Sequence, residues 1–166
     1  MRKILPVIFI FILALLQITV VPKLAIFGVK PNLILVGLSI LLFTGNFLTL
    51  VFSAALGGLV YDASDYFWGL NTVVFILTFL IFWLLGKKYV ASHHFLSLLS
   101  FSILGTAIFN FLYTSLSYLL FHYNFFDYFL SWRQLLEMAI NGALTFVFGG
   151  LFLLGTNIKK EHAAKF

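Results

Sequence analysis

The acidic side chains are the first candidates for chemistry in this sequence, and there are only five of them: Asp62, Asp65, Asp127, Glu137 and Glu161. Asp62 and Asp65 lie three residues apart, a spacing at which two carboxylates can share a metal ion or act as an acid and base. No histidine or further carboxylate lies in the loop after them. We therefore interpret the pair as the end of a helix that holds the next loop in water.

The other titratable residues indicate no better site. His93 and His94 are adjacent, so on a helix their side chains would point about 100° apart, and no third metal ligand is close in sequence. His122 lies among aromatic residues, which is typical of a membrane interface. Arg133 and Glu137 are four residues apart and can form a weak ion pair. The chain has no cysteine and no Gly-x-Ser-x-Gly or His-Glu-x-x-His string. We expect no catalytic residue, no cofactor and no metal.

The composition is that of a membrane protein. Of 166 residues, 63% are hydrophobic and only 9% are charged, which leaves too few polar groups to cover a surface in water. Most of the exterior must then face lipid. The formal net charge is +5, but the ten basic residues are scattered among apolar runs and form no stripe that would bind nucleic acid.

Six apolar runs predict the elements that position these residues. They cover residues 4–21, 32–44, 47–61, 66–85, 95–120 and 135–156. The second and third runs, of 13 and 15 residues, are short, since at 1.5 Å per residue they span roughly 20 to 22 Å of a hydrocarbon core about 30 Å thick. They form either one long tilted helix or a hairpin that turns at residues 44–46, and the hairpin either crosses the membrane or is re-entrant.

The distribution of basic residues favours the hairpin. It places seven basic residues in the cytoplasm and three outside, whereas one long helix reverses these numbers, against the positive-inside rule. The seven are Arg2, Lys3, Lys87, Lys88, Lys159, Lys160 and Lys165, and the three are Lys23, Lys30 and Arg133. The fold class predicted is an all-α integral membrane bundle of six helices, one domain over residues 1–166, with both termini in the cytoplasm.

Polar and small residues inside the apolar runs predict how the helices pack. Four amide side chains, which hydrocarbon would leave without hydrogen bonds, should face other helices: Gln17, Asn71, Asn110 and Asn141. Small residues recur at four-residue spacing, which lets helix backbones approach closely within one chain or in a homo-oligomer. These pairs are Ser53 with Gly57, Ala54 with Gly58, and Ala139 with Ala143.

Four short strings, in this order and spacing, resemble the rod shape-determining protein MreD family. They are Leu15-Leu16-Gln17, Lys30-Pro31-Asn32-Leu33, Gly58-Leu-Val-Tyr-Asp62 followed by Gly69, and Ile140-Asn141-Gly142. The resemblance covers nearly the whole chain, including its length and its basic ends, but not the stretch 95–130. The resemblance adds seven residues to the glycines Gly57 and Gly58 as candidates for helix packing or a partner interface. They are Gln17, Pro31, Asn32, Asp62, Gly69, Asn141 and Gly142. Pro31 suits a helix start, where Asn32 can accept hydrogen bonds from free backbone donors.

The resemblance implies a non-enzymatic protein of the bacterial cytoplasmic membrane. It would bind MreC, a single-span coiled-coil protein, in the cell-wall elongation complex with MreB and the peptidoglycan synthases. The family's fold is similar to the substrate-binding component of energy-coupling-factor transporters, whose first helix carries an Ala-x-x-x-Ala motif. In this chain the residue four positions after Ala14 is Ile18, which departs from that motif.

The alternative function is a small-molecule, vitamin-type substrate-binding component of a transporter, and a membrane enzyme ranks third. A carrier needs a largely enclosed cavity of several hundred Å³ with convergent polar groups, since small-molecule sites have volumes of roughly 300–1,000 Å³. A scaffold should instead be filled by its phenylalanine side chains. A pocket is therefore the discriminating observation.

Overall fold

The computed structural model describes residues 4–25, 27–42, 46–65, 69–89, 94–122 and 131–163. For 86–89, 94–97 and 153–163 it describes the backbone only. Over the described residues the protein is all-helical. Six helices lie in these ranges: α1 (Leu5–Thr19), α2 (Leu33–Leu41), α3 (Phe47–Asp62), α4 (Leu70–Tyr89), α5 (His94–Phe121) and α6 (Trp132–Ala163). A 3₁₀ turn, Val21–Lys23, follows α1.

Among the described residues, three stretches are long and apolar enough to cross a membrane: Leu5–Lys23, Leu98–Phe121 and Trp132–Phe152. The apolar part of α4, Leu70–Leu85, is shorter than the predicted run 66–85, and α3 is also short. α6 begins before and ends after the predicted run 135–156. The chain is thus a membrane protein by the length and composition of its helices.

The second and third apolar runs form two helices of opposite direction. Gln17, near the end of α1, meets Leu33 at the start of α2, so α2 runs back along α1. α3 runs in the same direction as α1. Val7 and Thr49, near the starts of these two helices, line one groove, and Gln17 and Tyr61, near their ends, line one cavity. Residues 43–45, most of the predicted turn, lie outside the described part.

Phenylalanine side chains fill the space between α4 and α5. Phe75, Phe79 and Phe82 follow one face of α4 and are each at most 2% exposed. The rings of Phe75 and Phe109 have centroids 4.6 Å apart, and those of Phe82 and Phe101 are 5.5 Å apart at an edge-to-face angle of 78°. Such tilted arrangements stabilise aromatic pairs beyond the area that they bury. The centre of the bundle is therefore closed.

The outer surfaces of α1 and α6 are apolar and exposed. Leu5 on α1 and Leu151 on α6 are 67% and 63% exposed, and other leucine, isoleucine and phenylalanine side chains along both helices are similarly open. In water such a surface would be unfavourable, whereas lipid tails solvate it. These two helices therefore present lipid-facing surfaces.

Polar contacts concentrate at one end of the bundle. At this end α1, α3 and α5 finish and α2, α4 and α6 begin, and it is called the polar end below. Hydrogen bonds that connect different helices, or the loops between them, lie in this half or near the middle of α5 and α6.

Candidate functional site

The first polar contact joins α1 to the start of α2. The amide of Gln17 donates from Nε2 to the carbonyl oxygen of Pro31 over 3.0 Å and accepts at Oε1 from the backbone N–H of Leu33 over 2.8 Å. Leu33 is the first residue of α2, so its N–H has no partner within the helix. Gln17 is 3% exposed, and both groups of its amide are hydrogen-bonded. It also supplies an acceptor for a free backbone N–H at the start of α2.

Asn32 caps α2 and also connects it to the last helix. Its Oδ1 accepts from the N–H of Leu35 over 3.1 Å, which is the usual bond of a helix-capping asparagine. Its own backbone N–H donates to Oδ1 of Asn141 over 2.8 Å, across a sequence separation of 109 residues. The second and the last of the four resembling strings therefore meet at one point.

Asn141 lies in a polar seam between α5 and α6. Its Nδ2 donates to Oγ1 of Thr106 over 3.0 Å, and its carbonyl oxygen accepts from Oγ of Ser102 over 3.1 Å. Oγ1 of Thr145 then donates to Ser102 over 2.7 Å. All of these side chains are buried. Each interhelical bond of this kind contributes about 0.6 to 2 kcal/mol in a membrane.

The sequence carries a signal for this seam that our sequence analysis missed. On α5 the polar residues Ser102, Thr106, Asn110 and Thr114 recur every four residues, and on α6 Glu137, Asn141 and Thr145 do the same. Residues four apart lie on one face of a helix. Two such polar faces in apolar helices predict that the helices pack against each other.

Asp62 has a different role from the one predicted. It is only 1% exposed and does not hold a loop in water. Oδ1 accepts from the N–H of Asn71 over 2.9 Å, and Oδ2 accepts from the N–H and the hydroxyl of Thr72 over 3.0 and 2.5 Å. These are donors in the first turn of α4, where no helical carbonyl can reach them. The carboxylate therefore caps α4 from the end of α3, and its charge is stabilised by the helix N-terminus.

Asp65 belongs to a second group of contacts beside this cap. Its Oδ2 accepts from Nδ2 of Asn71 over 2.9 Å and from the hydroxyl of Tyr113 over 3.3 Å. In these bonds the two acids accept from different atoms. Among the described residues, no group of three histidine, aspartate or glutamate side chains has the arrangement of a metal site. Asp127 and His93 lie outside the described residues.

Glu137 bonds across to α5 instead of along its own helix. Nδ2 of Asn110 donates to Oε2 of Glu137 over 3.1 Å. Within the described part of the chain, no ion pair joins Glu137 to Arg133, which is exposed on the same helix. The contact with α5 thus takes the place of the ion pair that the four-residue spacing allowed.

A cavity of about 330 Å³ opens among these groups at the polar end. Its wall combines the loop before α2 with the ends of α3 and α5 and the starts of α4 and α6. Acidic, basic, amide and hydroxyl side chains converge on it: Lys30, Asp65, Asn71, Asn110, Arg133 and Glu137 are among its lining residues. A cavity of this size falls at the lower end of the range for small-molecule sites.

The candidate glycines differ in what surrounds them. A Cβ on Gly58 would overlap the backbone of Thr72, and one on Gly57 would lie 2.8 Å from Cγ2 of Ile34. Gly142 has more space, with 3.2 Å to Cγ1 of Ile103. Gly69 has φ +88°, which few other residues adopt, and it directly precedes α4. Gly58 therefore allows α3 to approach the backbone of α4 closely, and Gly69 allows the chain to turn into α4.

No protein-family model, no curated protein and no solved structure matches this chain. The resemblance to the MreD family thus rests on the four strings and on their order and spacing along the sequence.

Proposed function

We propose that this chain is a non-enzymatic membrane scaffold of the bacterial cell-wall elongation machinery that binds MreC and helps to maintain cell shape. It would lie in the cytoplasmic membrane with both termini inside, as a bundle similar to the substrate-binding component of energy-coupling-factor transporters. MreB and the peptidoglycan synthases would be its further partners.

The observation that carries this proposal is the convergence of the resembling strings. Gln17, Pro31 and Asn32 are joined to Asn141 by consecutive hydrogen bonds at the polar end. Three of the four strings thus take part in one buried network, and the third string holds α3 against α4. A structural role for the residues of each string supports the family resemblance.

The use of the acidic residues also favours a scaffold. Asp62, the best-placed acid for chemistry, is occupied by three donors at the start of α4, so its oxygens are committed to holding two helices together. A general base or a metal ligand needs an oxygen that faces the reactant. This carboxylate stabilises the fold instead.

Co-purification tests the scaffold proposal directly. The tagged full-length chain is co-expressed with MreC of the same bacterium, and with an unrelated single-span coiled-coil membrane protein as the control. We expect MreC alone to be retained in mild detergent. The same chain should restore rod shape in cells that lack their own MreD. Loss of MreC from a monodisperse preparation, together with round cells, would contradict the proposal.

The cavity favours a second candidate, the substrate-binding component of a transporter. The phenylalanine core closes the centre of the bundle, as a scaffold requires, but about 330 Å³ stays open at the polar end, with several polar groups around it. Uptake assays separate the two functions, because a carrier supports accumulation of a solute in cells and a scaffold does not. Retention of MreC without any uptake supports the scaffold.

A further inference from the structure

We infer that the cavity at the polar end binds a small polar molecule that carries a primary ammonium group. The inference goes beyond the scaffold proposal and does not depend on it, since the cavity is separate from the lipid-facing surfaces of α1 and α6. For the second candidate function, a transporter component, this molecule would be the class of ligand that is carried.

Several hydrogen-bond donors of the wall are used within the protein. Nδ2 of Asn110 donates to Glu137, Nδ2 of Asn71 donates to Asp65, and the hydroxyl of Tyr113 also donates to Asp65. Thr114 donates back to the carbonyl oxygen of Asn110. Two hydroxyl donors and one hydrogen of each of these two amides are therefore committed within the protein.

Two buried hydrogen-bond acceptors of the wall, by contrast, receive no hydrogen bond from the described residues. Asn71 is 1% exposed, and its Oδ1 receives no hydrogen bond from any residue in the described ranges; the same holds for Oε1 of Gln134. Glu137 has one oxygen bonded to Asn110. Buried acceptors without partners are unfavourable, so a bound molecule that supplies N–H or O–H groups would be stabilised here.

The charges in the wall select an ammonium group among such donors. Asp65 and Glu137 are bonded to Tyr113 and Asn110, which lie three residues apart on α5 and therefore on one face of that helix. Both carboxylates thus approach the cavity within about one helical turn. An ammonium group has three donors and one positive charge, which matches this pair. The basic residues Lys30 and Arg133 also line the cavity, but both are exposed whereas the two acids are half-buried, so water and salt screen the basic charges more strongly.

A second cavity, also of about 330 Å³, adjoins the first and shares Gln17, Lys30, Tyr61 and Asp65 with it. The two together leave room for a molecule larger than a single amine headgroup. Ligands that carry hydroxyl groups beside the ammonium group would use the remaining amide acceptors.

Saturation-transfer NMR on the detergent-solubilised full-length chain tests the inference with matched probes. Ethanolamine is compared with ethylene glycol, and glucosamine with glucose, with protein-free micelles as the blank. The members of each pair differ mainly in the ammonium group. We expect saturation transfer to the two amines at millimolar concentration and little to the two alcohols.

The variant Glu137→Gln removes one charge and keeps an oxygen for Asn110, so the fold should survive. Its affinity for glucosamine should fall about tenfold, as expected for the loss of a charged hydrogen bond. Glu161→Gln, at the far end of the same helix, is the matched control and should bind as the unmodified chain does.

Equal transfer to amines and alcohols would overturn the inference, as would the absence of binding by both amines. Unchanged affinity in Glu137→Gln would do the same. The amine and alcohol comparison needs no variant, so it stands even if Glu137→Gln fails to fold. Failure of MreC to co-purify would leave all of these results unaffected, and the two proposals can be rejected separately.

Discussion

The backbone N–H of Asn32 donates to Oδ1 of Asn141 over 2.8 Å, although 109 residues separate the two. Both residues are buried, with exposures of 4% and 0%. Asn141 also donates to Thr106, so one amide connects the start of α2 and the middle of α5 to α6. A membrane interior offers no water to replace either bond.

The first prediction concerns this amide. Asn141→Leu should lower the free energy of unfolding by about 1 to 3 kcal/mol, because the N–H of Asn32 is left buried without an acceptor. Val147→Leu, at a position that is 52% exposed on the same helix, is the control and should change stability little. Unfolding in mixed micelles of mild detergent and dodecyl sulfate gives the measurement. Equal stability of the two variants would show that the bond is unimportant.

The second prediction concerns the carboxylate of Asp62. In the structure each carboxylate oxygen accepts from a backbone N–H of α4, and an amide would turn an NH₂ group towards one of these donors. Asp62→Asn should therefore destabilise the chain by about 1 to 3 kcal/mol, and Asp62→Leu more.

Ser64→Ala is the control for Asp62, because Ser64 is exposed two residues further on. Thermal unfolding in detergent, followed by circular dichroism, compares the three variants. If Asp62→Asn unfolds together with Ser64→Ala, the carboxylate does not act as the cap of α4.

The third prediction ranks three glycines by what a methyl group would meet. Gly58→Ala should be the most disruptive, at about 1 to 3 kcal/mol, since the Thr72 backbone cannot move aside as a side chain can. Gly57→Ala meets only side chains, those of Ile34 and Ile10, and should cost less. Gly142→Ala requires only a small shift of the Ile103 side chain, whose Cγ1 would lie 3.2 Å from the new Cβ, and it gains helix propensity of up to about 1 kcal/mol. Accumulation in the membrane and thermal stability should follow this order, and a reversed order would contradict the α3–α4 contact.

The fourth prediction concerns topology. The chain contains no cysteine, so single cysteines report without background. Ser64→Cys at the polar end should react with an impermeant maleimide in intact cells, and Lys87→Cys, near the other end of α4, should react only after the cells are opened. Labelling of Lys87→Cys from outside would overturn the orientation drawn from the seven basic residues on one side and three on the other.

The helices were the part of the fold that sequence predicted best. Apolar runs bounded by glycine, proline and charged residues are local signals, and all six runs correspond to helices in the described part. The ends were less predictable. α4 begins only at Leu70, after the positive-φ residue Gly69, because the backbone at a glycine depends on the loop that it closes.

The site was less predictable than the helices. Asp62 lies nine residues from Asn71, and its role as a cap depends on how α4 folds back over α3, which neither residue reveals. The cavity needs the ends of several elements at once, and no single stretch encodes it. The seam of α5 and α6 was readable from its four-residue polar spacing, since that pattern is local to each helix.

During synthesis, α5 reaches the membrane before α6 has been made. The amide of Asn110 then lacks Glu137, and the hydroxyl of Ser102 lacks Asn141, the partners that they have in the finished protein. Hydrocarbon supplies no substitute, so α5 should leave the translocon together with α6 as one helical hairpin. A ribosome that stalls between the two helices would leave an unsatisfied polar stripe of α5 within the bilayer.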